Sequence, residues 1–148
     1  METFLEKVQG RIAMAGITAV LVEAQESIEH PGDVTLLFQS DCLLLKVSRE
    51  GENEYLDVAT VLAPGQFYWF GDIEVALGWA SFERMCTATP PPIEEAINRL
   101  GQRLTYLRKE FFKSLDPFTE ATIRRTVRRG TAAHGALHFN AGRRAPRP

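Results

Sequence analysis

Two charged arrangements have the residue types and spacing to do chemistry with a partner. Glu50, Glu52 and Glu54 alternate through "EGENE", while Arg124, Arg125, Arg128 and Arg129 crowd into "RRTVRR". Carboxylates at every second position attract a cationic surface, and charge complementarity of this kind speeds the capture of another protein. Four guanidinium groups on one short segment reach phosphates if that segment is a helix laid along a nucleic acid. The arginine segment carries neither interleaved aromatic side chains nor a helix-turn-helix pattern, so sequence-specific readout has no support.

A third cluster is aromatic. "GQFYWFGDIEVALGW", residues 65 to 79, holds Phe67, Tyr68, Trp69, Phe70 and Trp79. At helical spacing Phe67, Phe70 and Leu77 point one way, toward a core, which leaves Tyr68 and Trp69 as the rings expected at the surface. Exposed together they form a protein-binding anchor, because Trp and Tyr dominate binding hot spots.

Motifs for catalysis are missing. The chain has no P-loop, no dinucleotide-binding glycine fingerprint, no G-x-S-x-G elbow and no H-E-x-x-H. Carboxylates are plentiful, yet no linear spacing singles out a catalytic pair such as Asp57 with Asp72. His134 and His138 stand at i and i+4 in "HGALH", but Gly135 is a poor helix former and no acidic third ligand lies nearby. Cys42 and Cys86 match no zinc-ligand spacing and are expected as reduced thiols. The expectation is a non-enzymatic protein with no metal and no other cofactor.

The charge of the chain is divided along its length. Overall the 148 residues carry a formal charge of −2. Residues 1 to 98 hold 5 Lys or Arg against 16 Asp or Glu, and residues 99 to 148 hold 12 against 3. An acidic body is thus followed by a basic end, which either folds back on that body or serves a partner of opposite sign. The first residues, Met-Glu-Thr-Phe-Leu-Glu, are acidic where a secretory signal is basic, and no apolar run approaches the roughly 20 residues needed to cross a bilayer. A cytoplasmic protein without a membrane segment is expected.

The elements that must position these residues follow from periodicity. Thr3 and Glu6 read as a capping box, and Phe4, Leu5, Val8, Ile12 and Ala15 recur at helical spacing up to Gly16, predicting a helix over 3–15. Ile17 to Val22 reads as a buried or central strand. Strands are expected over 34–39, 42–48 and 54–62, joined by connections short enough for hairpins, with one face of the meander in the core and the other partly wet. The aromatic stretch predicts a helix with Pro64 in its first turn and Gly78 at its end; the competing reading is a strand through "FYWF" and then a helix capped at Asp72. Ile93, Ile97, Leu100, Leu104, Leu107 and Phe111 form a heptad seam on a helix over 93–114, to be packed on the sheet or paired with a second copy.

These expectations add up to an α+β domain in the order αββββαα: an antiparallel sheet of about four strands covered by the N-terminal helix and the long C-terminal helix. Residues 1–116 form the domain, and 117–148 form a basic, partly disordered tail. The expected function is that of a small cytoplasmic partner-binding protein that holds, neutralises or escorts another polypeptide, working alone or as a homodimer. Immunity proteins that block toxins and secretion chaperones are small acidic α+β proteins of this size; the analogy is one of class and rests on no shared motif. The alternative function is nucleic-acid binding through Arg124, Arg125, Arg128 and Arg129.

Overall fold

The computed structural model describes residues 2–40, 43–83 and 91–111, with the side chains of the last helix described through Leu107. The fold is α+β. Helix α1 (Glu2–Met14) leads into β1 (Val20–Glu26), β2 (Val34–Ser40), β3 (Leu43–Glu50), β4 (Asn53–Thr60) and β5 (Tyr68–Trp69), followed by α2 (Phe70–Ala76) and α3 (Ile93–Phe111). The strands form one five-stranded sheet in sequence order, β1-β2-β3-β4-β5, and every neighbouring pair is antiparallel. The sheet therefore has one strand more than expected, the short β5 contributed by the aromatic stretch.

Helix α1 ends where its sequence says it must. The Gly16 N–H donates to Ala13 O at 3.0 Å and the Ile17 N–H to Ile12 O at 3.1 Å, with Gly16 at φ 75°. This is a Schellman cap, in which the residue after the glycine folds back onto the helix. Ile17 is 4% exposed and joins the core. Its burial explains a correction: Ile17 closes the helix instead of opening a strand, and β1 starts at Val20. Nor is β1 central, for it lies at the sheet edge and Val20 is 67% exposed.

One face of the sheet carries Val34, Leu36 and Phe38 of β2, Leu43, Leu45 and Val47 of β3, and Leu56 and Val58 of β4. Phe4, Val8 and Ile12 of α1 and the α3 seam pack into the same cluster. Seam residues Ile93, Ile97, Leu100, Leu104 and Leu107 are at most 6% exposed, so this apolar stripe is spent on the chain's own core and is not open to a second copy. The helices approach closely at Gly101, where an added Cβ would stand 2.6 Å from the Ala15 carbonyl oxygen.

The opposite face is drier than expected. Leu44, Ser48, Tyr55, Asp57 and Ala59 are all buried, although Gln39 and the outer residues of β1 stay exposed. Burial on this face thus rises from β1 toward β4. No helix of the described residues is long and apolar enough to cross a membrane.

Candidate protein-binding surface

The β1–β2 connection and the β3–β4 hairpin emerge at the same end of the sheet, because antiparallel neighbours reverse direction at each turn. Both connections are rich in carboxylates. The hairpin turns on Gly51 and Glu52 between the paired residues Glu50 and Asn53, and Gly51 has φ 62° while no non-glycine residue among the described ones is at positive φ. A positive first position alone is the type II′ pattern, which matches strand twist and favours glycine there. Glu50 and Glu52 are left exposed.

The longer connection is folded by its own hydrogen bonds. The Ser27 N–H donates to Asp33 O at 2.9 Å, the Asp33 N–H to His30 O at 3.0 Å, and the His30 N–H to Ser27 Oγ at 3.0 Å. Two further bonds tie this connection to the hairpin. The Gly51 N–H donates to Asp33 Oδ1 at 2.8 Å, and Arg49 Nε donates to Gly32 O at 3.1 Å. Arg49 also places its guanidinium over the Phe4 ring at 4.6 Å, which fixes it against the helix layer. An open groove of about 310 Å³ lies between the connections, with Glu26, Asp33, Arg49 and Glu50 among its walls.

Beside the groove runs the outer edge of β1. Val22 is 55% exposed and Ile28, just beyond the strand, 96% exposed; Glu23, Gln25, Glu26 and Glu29 are exposed as well. Acidic and apolar side chains therefore share one solvent-facing strip. Sequence reasoning missed β1 as a surface because it ended the strand at Val22. The signal was present in "EAQE", where Ala24, paired with Leu36, alternates with the exposed Glu23 and Gln25.

Of the three glutamates marked in the sequence, Glu54 does different work from Glu50 and Glu52. It turns into the helix layer, where its carboxylate accepts from Lys7 Nζ at 2.8 Å and from the Ile93 N–H at 3.2 Å. Glu54 thereby caps the start of α3 from another strand. Lys7 also pairs with Glu94 at 3.1 Å. Burial would lower the Lys7 pKa, but its hydrogen bonds and attraction to Glu54 and Glu94 outweigh burial and raise it above its ordinary value. Glu94 is held below its ordinary value, chiefly by a hydrogen bond from its own backbone amide and then, against the effect of burial, by Lys7.

The aromatic residues are placed mainly in structural roles. Trp69 is 9% exposed, which corrects its expected exposure: Tyr68 and Trp69 pair with Val58 and Asp57 as β5, and the Trp69 ring lies where a Gly71 Cβ would be only 2.8 Å away. Tyr68 is half-buried against the core. Helix α2 begins only at Phe70, so the stretch combines parts of both readings, a short strand and then a helix that starts before Asp72. Phe67 lies under Lys46 Nζ at 4.4 Å. Trp79 follows a second Schellman cap at Gly78 and meets Tyr106 edge-on at 5.4 Å and the Arg103 guanidinium at 4.6 Å.

Asp57 and Asp72 are both buried, and both have interaction partners. Glu74 is buried and accepts from Arg99 at 2.8 and 3.1 Å. Among the described residues no group of three or more His, Cys, Asp or Glu is placed to hold a metal ion. Cys42, Cys86, His134, His138 and Arg124, Arg125, Arg128 and Arg129 lie outside the described residues. No protein-family model, curated protein or solved structure matches this chain.

Proposed function

We propose that the chain is a small, non-enzymatic, cytoplasmic protein that binds another polypeptide to hold, neutralise or escort it, and that the acidic end of the sheet is the working surface. One observation carries the reading: the two acidic connections are bonded to each other through Asp33 and Gly51, beside an edge strand with exposed apolar and acidic side chains. Such a surface suits a basic partner, whose approach an acidic field accelerates.

The test is charge reversal at Glu50 and Glu52, leaving Glu54 intact because it caps α3. Wild-type protein used as bait is expected to retain a basic polypeptide at low ionic strength. It should release that polypeptide at about 0.5 M salt, where screening shortens the reach of charge to roughly 4 Å. The E50K/E52K bait is expected to retain much less. Equal recovery by both baits would remove the acidic end from the reading.

The strongly basic composition of residues 99–148 supports nucleic-acid binding as a second reading. That reading predicts affinity that falls steeply with salt and disappears when Arg124, Arg125, Arg128 and Arg129 are replaced by Gln.

A further inference from the structure

Among the described strands β1 has a single neighbour, β2, along its whole length of seven residues. An edge strand presents outward N–H and C=O groups that are a template for another strand. A bulge interrupts the ladder at Val22, between Leu21 and Glu23, but Glu23 to Glu26 run in unbroken register with Leu37 to Val34. The regular part of the edge is thus acidic, and the bulged part is apolar through Val20 and Val22.

We propose that β1 takes up an extended, basic segment of the partner as a sixth strand. This rests on the partner-binding reading above and specifies how the partner is held. Main-chain bonds to the edge supply affinity, and side chains set specificity. The segment that fits places Lys or Arg opposite Glu23 and Glu26 and apolar side chains against Val20 and Val22. A second copy of the chain fits poorly. Antiparallel pairing of two β1 edges would line four carboxylates, Glu23 and Glu26 of each copy, along one seam, and charged side chains on an edge strand oppose the pairing of like edges. Those carboxylates repel self-pairing and attract a basic strand.

The experiment uses the full chain and a capped eight-residue peptide with valines at one end and Lys-Thr-Thr-Lys at the other, the spacing of Glu23 and Glu26. A second peptide has the same side chains and charge but carries N-methyl groups on alternate backbone nitrogens, prepared in both registers. Binding is measured by calorimetry at low ionic strength, and β1 amide exchange is followed with and without peptide. The unmodified peptide is expected to bind and to slow exchange in β1. At least one N-methylated register is expected to bind about tenfold more weakly, since backbone donors are lost, and E23K/E26K is expected to weaken the unmodified peptide by a similar factor.

Equal affinity for all peptides would overturn strand addition and leave the acidic surface standing as a purely electrostatic site. Failure of every peptide to bind would overturn both. Protection of the outward β1 amides in the free protein would show the edge already occupied and overturn the proposal; light scattering would then tell a second copy from the chain's own segment.

Discussion

The two edges of the sheet are finished in different ways. At the β5 edge the ladder lasts two residues, Tyr68 and Trp69, before the chain turns into α2. Phe70 and Ile73 of that helix enter the core at 1% and 0% exposure. At the β1 edge the strand runs for seven residues, most of them exposed. A sheet can close an edge by turning the chain into its own core, or leave one open and guard it with charge. The closed edge carries stability, and the open one is free to carry recognition because little core depends on it.

Substitutions at the two edges should therefore separate stability from binding. The largest effect is expected for Phe70→Ala, at about 3–5 kcal/mol of unfolding free energy for a fully buried ring. Urea denaturation measures it, and a loss under about 1 kcal/mol would mean that the β5 edge is not tied to the core. Gly71→Ala drives a Cβ into the Trp69 ring, which is itself buried, and should cost about 1–3 kcal/mol. On this account Trp69 fluorescence shifts in Gly71→Ala and not in variants of β1.

Between the edges, the Lys7, Glu54 and Glu94 junction makes stability depend on pH. Lys7 has a raised pKa when folded, so its contribution is full at neutral pH and fades as pH climbs past its ordinary 10.5. Glu94 has a lowered pKa, so its contribution is present above its ordinary 4.5 and is lost as pH falls below it. Replacing Lys7 with Met should flatten the alkaline limb of a denaturation-midpoint profile and blunt the acid one. An unchanged profile would place the titration elsewhere. The smallest effect is expected at the open edge, where V20T/V22T should shift unfolding by no more than about 0.5 kcal/mol. A larger loss would show that β1 is part of the core after all and erase the contrast between the edges.

Much of this arrangement was legible in the sequence because local and long-range signals agree there. The α3 seam is periodic, it starts after consecutive prolines, and its apolar positions are the ones the sheet buries. The three central strands alternate, and the hairpin carries glycine where II′ geometry requires it. Reading failed where one residue serves an element other than its sequence neighbours do. Ile17 is β-branched and precedes Ala19 to Val22, so it reads as strand, yet it is the closing contact of a helix. Trp69 falls off the Phe67, Phe70 and Leu77 stripe at helical spacing, so it reads as surface, yet pairing with Asp57 turns it to the buried part of the far sheet face. Glu54 shares its spacing with Glu50 and Glu52, and only the meeting of β4 with α1 and α3 separates it from them. For Trp69 and Glu54 the deciding partner lies on another element and is invisible to a window of local periodicity, whereas for Ile17 it is the helix end five residues back.

The bond from the Gly51 amide to Asp33 also bears on how long a complex of the proposed kind would last. It couples a tight hairpin to a longer connection already folded by its own hydrogen bonds, so the two acidic turns form one body. Ordering that is completed during folding is not charged again at encounter, where each newly fixed side chain costs about 0.5–1.5 kcal/mol. Gains from such preorganisation are felt mainly in how long a complex lasts, since dissociation varies more than association among related interfaces. On the proposed function, a single aspartate at the base of a loop would act as a clamp on residence time.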